Sequence, residues 1–232
     1  PAGAQVADLP PNNLPNGYIT VLNWAKFPDG RRWGSTAGID VAPDGSVWTA
    51  VNGRDNVPYP YDRPYGDAGG SSFGKVVDAY VTDHPAEPLA RLTPGRELGW
   101  PFCNPDPDTD PGVAGSAQDF TDVGLVADAE LNPGGRAMDC AALAPVEQSF
   151  PAHSAPLGLS FTDGVLPAPY AAGALAGVHG SWNADPPRAP EVSFFPWRDG
   201  RLDAQKCQRI LDRTPNGSSG GGAVAPHLMD GA

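Results

Sequence analysis

Short apolar runs bounded by glycine and proline are the main pattern along this chain. The clearest run is residues 37–51, where Ile39 and Val41 alternate with polar Asp40, a Pro-Asp-Gly turn follows, and Val47–Val51 returns. This spacing predicts a β-hairpin. Further strands are predicted at Tyr18–Trp24, Val76–Val81, Pro156–Phe161, Ala174–Val178 and Glu191–Trp197. Residues 141–148 predict one turn of helix. Apart from this turn, the pattern indicates an all-β chain of about eight strands.

The strand-bearing part of the chain is predicted to extend from residue 18 to residue 211. Residues 1–17 are rich in proline and asparagine and predict an extended N-terminal arm. Residues 212–232 are rich in glycine and serine and predict a tail with little core material. The long segment 52–73 has no apolar periodicity, but its three tyrosines and two arginines predict an ordered loop.

Composition favours a turn-dense β-protein over a helical bundle. Glycine and proline supply 57 residues (29 and 28), yet 40 % of the chain is hydrophobic, which is enough for a packed core. The net charge of −12 argues against nucleic acid and anionic membranes as partners and suits a neutral sugar or a metal cation. No apolar run approaches the ~20 residues that cross a bilayer. The first residues lack the basic and apolar regions of a signal peptide, which leaves a mature form, a fragment or a cytosolic protein.

The three cysteines, Cys103, Cys140 and Cys207, allow at most one internal disulfide and leave one thiol over. Cys103 and Cys140 lie in loop-rich segments, where a bridge would hold a long insertion. The alternative is three buried thiols in a reducing compartment. The chain has no Cys-X-X-Cys spacing of the kind that binds zinc.

Carboxylates cluster at residues 104–111, Asn-Pro-Asp-Pro-Asp-Thr-Asp-Pro. Hard cations bind clustered oxygens, but the glycine and the distal glutamate of an EF-hand are missing here. Because alternate prolines stiffen an extended backbone, we predict a solvated loop rather than a calcium loop. His84, between Asp83 and Pro85, is predicted to belong to a turn.

The strongest candidate for chemistry is the segment His179-Gly180-Ser181-Trp182-Asn183, which directly follows a predicted buried strand. Functional side chains often lie on loops at strand ends. The alternative is a plain β-turn, in which Ser181 and Asn183 bond their own backbone and Trp182 covers the core. His153 precedes the neighbouring strand and is predicted as a partner of His179 or as a strand-start cap.

Four stretches of the sequence resemble the glucose/sorbosone dehydrogenase family, in the order that the family has them. They are residues 51–56 (VNGRDN), 92–101 (LTPGRELGWP), 153–183 (from HSAPLGL to GVHGSWN) and 187–192 (PRAPEV). Members of this family are quinoproteins built as six-bladed β-propellers that use pyrroloquinoline quinone and calcium. The resemblance implies a part-length propeller with only the later blades, a secreted or periplasmic location, and a bridge between Cys103 and Cys140.

The resemblance also implies roles for individual residues. His179 becomes the catalytic base that takes the hydroxyl proton of a sugar or polyol, with an external electron acceptor completing turnover. Arg54, Asp55, Trp182 and Asn183 become cofactor-binding residues, since an arginine binds a quinone carboxylate at two points. The metal ligands are not identified. The alternative for Arg54 and Asp55 is an ion pair that closes the loop after a strand.

The sequence departs from the family pattern at two places. Ser35-Thr36-Ala37 stands where the family has an Arg-Asn pair near the metal, and Ala184 stands where it commonly has arginine. Each change removes a cation or an oxygen donor. Three hypotheses follow: a quinone-dependent sugar or polyol dehydrogenase, a quinone-free propeller that binds carbohydrate or protein, and a calcium-dependent sugar lactonase.

Overall fold

The structure, a computed structural model, describes residues 38–181, 183–203 and 208–212, which belong to one compact unit, Thr36–Ala232. Several predictions therefore lie outside the described residues. They concern the N-terminal arm, the strand Tyr18–Trp24, residues 35–37, Trp182, Cys207 and the tail after residue 212.

The described residues are almost entirely strands and loops, which confirms the all-β prediction. The strands are β1 (Gly38–Val41), β2 (Val47–Ala50), β3 (Glu87–Leu92), β4 (Cys103–Pro105), β5 (Thr121–Val123), β6 (Leu125–Ala127), β7 (Val146–Phe150), β8 (Pro156–Phe161), β9 (Gly173–Val178), β10 (Glu191–Arg198), β11 (Arg201–Leu202) and β12 (Gln208–Asp212). One α-helix, α1 (Asp78–Asp83), and two 3-10 turns, Pro133–Gly135 and Cys140–Ala142, complete the described elements.

The strands form two larger antiparallel sheets and one small one. The first sheet has the order β1-β2-β3-β7-β5, and the second has the order β11-β10-β9-β8, with β12 also paired to β10. Strands β4 and β6 pair separately, inside an insertion between β3 and β7. Consecutive antiparallel strands in sheets of four or five are the construction of propeller blades. The fold is therefore that of an incomplete β-propeller.

The two larger sheets share one hydrophobic core. Trp48 and Leu89 of the first sheet lie in the same buried cluster as Ala174, Ala176 and Phe195 of the second. The ring of Phe150 contacts that of Phe195 edge-on, with centroids 5.1 Å apart. Burying a side chain of this size stabilises the fold by roughly 1.5–3 kcal/mol.

A glycine allows β1 to approach β8 closely. A Cβ atom at Gly38 would lie 2.8 Å from the backbone of Gly158 and from the Leu159 side chain. Real Cβ contacts are not this short, so a larger residue at position 38 would force the two strands apart. Gly38 thus allows β8 to pack against β1, and the loop directly before β8 forms part of the candidate site.

The strand predictions were correct wherever turn residues bounded the apolar run. The predicted hairpin forms as β1 and β2, with Val41 opposite Val47, and β8 has the predicted bounds. The prediction of a strand at Val76–Val81 was wrong, because Asp78–Asp83 is helical and buries Tyr80 and Val81 on one face. A short apolar run does not by itself distinguish helix from strand.

The insertion between β3 and β7 has its own small core, closed by a disulfide. Cys103 and Cys140 are bonded, with Cα atoms 5.7 Å apart, so the predicted bridge is confirmed. Trp100 does not belong to this core, since 62 % of its surface is exposed. Leu98 and Phe102 pack on this core instead.

The loop at residues 52–73 is ordered, as predicted, by a cluster of tyrosines. Tyr59, Tyr65 and Tyr80 are buried in mutual ring contact, with centroids 5.1–5.4 Å apart. The Tyr59 hydroxyl donates a hydrogen bond to the carbonyl of Gly112, at 2.7 Å. The loop is therefore fixed both to α1 and to the insertion. None of the described helices is long or apolar enough to cross a membrane.

Candidate functional site

Three loops at strand ends meet in one pocket of about 260 Å³. They follow β2, precede β8 and follow β9. The lining residues are Asn52, Asp55, His153, Ala155, Leu157, His179, Gly180, Ser181 and Asn183. The volume is close to the lower limit, about 300 Å³, of small-molecule sites. The pocket brings together Asp55, His179, Asn183 and His153, which the sequence analysis had singled out from distant positions.

Backbone hydrogen bonds hold the two histidine-bearing loops side by side. The His179 N–H donates to the carbonyl of Ala155 at 3.0 Å, and the Gly180 N–H donates to that of Ser154 at 2.9 Å. Gly180 has φ +88°, and a Cβ there would collide with the Arg188 carbonyl. Glycine is therefore required directly beside His179.

Asp55 connects two of the loops through polar side chains. Its Oδ1 lies 3.4 Å from Nδ1 of His153 and accepts a hydrogen bond from Nδ2 of Asn183 at 3.3 Å. The His153 ring is buried, and its Nε2 contacts the carbonyl of Val81 in α1. A nitrogen facing a carbonyl oxygen must carry the hydrogen. His153 thus faces an oxygen at each nitrogen, from Asp55 and from Val81, and its predicted partnership with His179 stays a prediction.

His179 differs from His153 in its exposure and in its hydrogen bonding. Its side chain is exposed at the pocket, and its Nδ1 lies 3.3 Å from the Gly180 carbonyl. That contact favours hydrogen on Nδ1 and leaves the Nε2 lone pair to accept a proton. The geometry gives His179 the form that a general base needs.

Asn183 presents an unusual oxygen to the site. Its Oδ1 is buried and has no hydrogen-bond partner among the described residues. A buried amide oxygen without a partner is costly. Asn183 bonds Asp55 rather than its own backbone, in contrast to the plain-turn alternative. Ser181 does act in a turn, because its Oγ accepts from the Arg188 N–H at 3.0 Å.

The sequence analysis missed a buried glutamate, Glu87, which holds two of the loops that form the pocket. Oε1 of Glu87 accepts from the Gly53 N–H at 3.2 Å, and Oε2 accepts from the Ala155 N–H at 2.6 Å. Burial raises the pKa of Glu87 from 4.5 to about 7, against the opposing effect of these two hydrogen bonds. Glu87 therefore ties together the loops that carry Asp55 and His153.

Arg54 is directed away from the pocket. Its guanidinium donates to Asp128 at 2.5 Å and to Glu130 at 2.7 Å. Burial alone would raise the pKa of Asp128, but hydrogen bonds from Leu131 and Asn104, together with Arg54, hold it below its ordinary value. The partners of Arg54 are therefore in the insertion, and the Arg54–Asp55 pair weighed in the sequence analysis does not form in the structure.

A second polar cluster lies outside the pocket, at residues that sequence reasoning had assigned otherwise. His84 is buried at the end of α1 and faces the buried carboxylates of Asp106 and Asp108. Burial alone would lower the pKa of His84, but the two carboxylates outweigh it and raise the pKa to about 9. The prediction of a solvated acidic loop was thus wrong for Asp106 and Asp108. The signal was their spacing, since positions i and i+2 of an extended segment share a face.

Comparisons with known proteins give a fold likeness. No protein-family model matches the sequence, and no curated protein matches it. Similar solved structures include a calcium structure of a Trichoderma reesei carbohydrate-active enzyme of family AA12. It has a TM-score of 0.51 and 21 % identity, over 72 % of this chain and 38 % of that one.

Another similar structure is the holo form of the pyranose dehydrogenase PQQ domain from Coprinopsis cinerea. It has a TM-score of 0.46 and 21 % identity, over 76 % of this chain and 39 % of that one. This chain therefore spans about two fifths of the length of these structures. At this identity the likeness to the Trichoderma protein concerns the fold alone, and it agrees with the incomplete β-propeller described above.

Proposed function

We propose that the pocket formed by Asp55, His153, His179 and Asn183 oxidises a hydroxyl group of a sugar or polyol with bound pyrroloquinoline quinone and calcium. The observation that carries this proposal is the convergence of these residues. Asp55 and Asn183 are 128 positions apart, yet their side chains are hydrogen-bonded at 3.3 Å. The family-like motifs around them and the fold likeness support the same reading.

The pocket offers donors that fit calcium. The unpartnered Oδ1 of Asn183 and the carboxylate of Asp55 are hard oxygens on two hydrogen-bonded residues that line the pocket. The fit to the quinone carboxylates rests on polar N–H donors rather than on an arginine. Asn52 supplies such a donor in the lining, while the guanidinium of Arg54 is occupied elsewhere. Its predicted cofactor contact stays a prediction, as does that of Trp182.

In this proposal His179 takes the proton of the substrate hydroxyl at Nε2. Its Nδ1 hydrogen stays on the Gly180 carbonyl, so the ring keeps one orientation during the transfer. Bound quinone would supply the acceptor for the hydride equivalent. His153 and Asp55 orient Asn183 and do not exchange protons with the substrate, since both nitrogens of His153 already have partners.

Turnover also needs a partner outside the chain. Oxidising one hydroxyl group releases two electrons, which an external acceptor must remove. The Cys103–Cys140 disulfide supports an oxidising, extracytoplasmic location.

A second candidate is a quinone-free module that binds carbohydrate. The favouring observation is that, within the described part of the chain, the residues lining the pocket include neither arginine nor lysine. A neutral sugar needs hydrogen-bonding groups but no cation, whereas a tricarboxylate gains from one.

The deciding experiment is a titration of the purified chain with pyrroloquinoline quinone and calcium, following quinone absorbance and melting temperature together. Binding should raise the melting temperature. His179→Ala should retain binding but lower dye-coupled sugar oxidation by about 10²–10⁴-fold, which is the usual contribution of a general base. Asp163→Asn, at the exposed turn at the other end of the same hairpin, is the matched control.

The outcomes separate the candidate functions. Absence of quinone binding by a folded chain would reject the dehydrogenase. Sugar binding without quinone would then support the second candidate, and calcium-dependent hydrolysis of sugar lactones would support the lactonase hypothesis. Oxidation that is unchanged in His179→Ala would remove His179 from the mechanism.

A further inference from the structure

The cluster of His84, Asp106 and Asp108 has the arrangement of a metal site that is separate from the pocket. Nε2 of His84 lies 3.5 Å from Oδ1 of Asp106 and 3.3 Å from Oδ2 of Asp108. The three ligand atoms are within 4.8 Å of one another, and only 1 % of the His84 surface is exposed. The site joins the end of α1 to the loop after β4.

The orientation of His84 leaves its Nε2 without a partner. The ring stacks on Tyr80, with centroids 4.1 Å apart, and Nδ1 lies 3.0 Å from the Tyr80 carbonyl. Nδ1 must carry the hydrogen of that contact. Nε2 is buried and makes no hydrogen bond of acceptable geometry, although two carboxylate oxygens lie nearby. Two carboxylates beside Nε2 require a positive species there, which is either a proton on Nε2 or a metal ion bound to its lone pair.

The distances from Nε2 of His84 to the two carboxylates suit a small tetrahedral cation, and the ligand atoms of the two carboxylates lie within 4.8 Å of each other. Four ligands at about 2.0–2.1 Å from Zn²⁺ lie about 3.3–3.4 Å from one another. The two distances from Nε2 to the carboxylates match this value. An imidazole nitrogen is a common ligand of zinc and other transition metals, whereas Ca²⁺ and Mg²⁺ prefer oxygen throughout.

We propose that His84, Asp106 and Asp108 bind a divalent transition-metal ion, with Zn²⁺ as its representative, and that water takes the fourth position. The surrounding contacts are those that orient metal ligands. The Tyr80 carbonyl fixes the tautomer of His84, and the Tyr61 hydroxyl donates to the second oxygen of Asp106.

The bound metal stabilises the base of the pocket. It connects α1 to the insertion, and α1 also provides the Val81 carbonyl that holds His153. The proposed metal site does not involve pyrroloquinoline quinone, so a test of metal binding does not depend on the proposed dehydrogenase activity.

The test uses the chain without a polyhistidine tag, stripped with a chelator, and then titrated with Zn²⁺ and with Ca²⁺ by calorimetry. We expect one equivalent of Zn²⁺ to bind, and Co²⁺ in its place to give the visible spectrum of a tetrahedral site without thiolate bands. Asp108→Asn should weaken Zn²⁺ binding by at least about 100-fold, the upper end of the effect of losing a supporting residue. Asp110→Asn, an exposed carboxylate of the same loop, should bind like the parent chain.

Three results would contradict the proposed metal site. They are the absence of Zn²⁺ binding by a folded parent chain, binding that persists in Asp108→Asn, and a preference for Ca²⁺. The first would mean that a proton on His84 alone balances the two carboxylates. If Asp108→Asn does not fold, the Co²⁺ spectrum of the parent chain decides, because an octahedral spectrum or one with thiolate bands contradicts the proposed ligands.

Discussion

Replacing Glu87 by glutamine should make the stability of the protein less dependent on pH, so that the variant gains stability relative to the parent chain as the pH rises. Glu87 is buried between the backbone N–H groups of Gly53 and Ala155. Burial raises its pKa from 4.5 to about 7, Asp55 acts in the same direction, and Arg188 opposes it. Between these pH values the folded state binds more protons than the unfolded state does. Stability therefore falls as the pH rises through this window.

The size of the effect follows from the two pKa values. A change from 4.5 to about 7 corresponds to about 3 kcal/mol, at about 1.4 kcal/mol for each tenfold change in proton affinity. Below pH 4.5 the carboxyl group of the parent chain is uncharged, as an amide is, but the amide nitrogen cannot accept from one of the two backbone N–H groups. Glu87→Gln should therefore be less stable than the parent chain there, by the roughly 1–3 kcal/mol of one buried unpaired donor. Above pH 7 the parent chain bears the full cost of a buried charge, and the variant does not.

Urea unfolding at pH 4.5, 6, 7 and 8, followed by tryptophan fluorescence without added metal or cofactor, measures this difference. Glu97→Gln, at an exposed position, controls for the loss of one charge from a chain of net charge −12. Parallel stability curves for Glu87→Gln and the parent chain would refute the reasoning. A variant that is less stable at pH 8 would show that the hydrogen bonds to Gly53 and Ala155 outweigh the cost of burial.

Three further predictions concern the scaffold. Gly180→Ala should lower stability by more than the 1–3 kcal/mol of backbone strain alone, because its Cβ also meets a carbonyl. Gly164→Ala, with φ +79° and open space around it, should show only the strain, so equal losses in urea unfolding would contradict the collision. Cys140→Ala opens a disulfide with a sequence separation of 37 and should lower stability by about 3–4 kcal/mol, whereas an unchanged unfolding midpoint would indicate that the bridge contributes nothing. Arg54→Ala leaves the buried carboxylate of Asp128 without its cation and should cost about 3 kcal/mol in urea unfolding. Unchanged stability with weaker quinone binding would instead support the cofactor role predicted from the sequence.

Local sequence patterns determined the strands that turn residues bound on both sides. The hairpin of β1 and β2 follows from alternation around Pro43-Asp44-Gly45, and β8 and β9 follow from apolar runs between glycine and proline. These features depend on neighbours within a few residues, which the sequence displays directly. Family-like motifs also pointed to Asp55, His179 and Asn183 before the structure placed them in one pocket.

Only the tertiary structure decided which polar groups meet across the chain. Glu87 reaches Ala155 from a separate sheet, Arg54 pairs with Asp128, and His84 faces Asp106 and Asp108. None of these long-range contacts has a signal in local periodicity, although the spacing of Asp106 and Asp108 does place those two carboxylates on one face. Their burial depends on how the long loops close, and burial in turn sets whether a carboxylate is solvated, paired or protonated. The sequence thus determines the blade strands and the candidate residues, whereas long-range packing determines their chemical state.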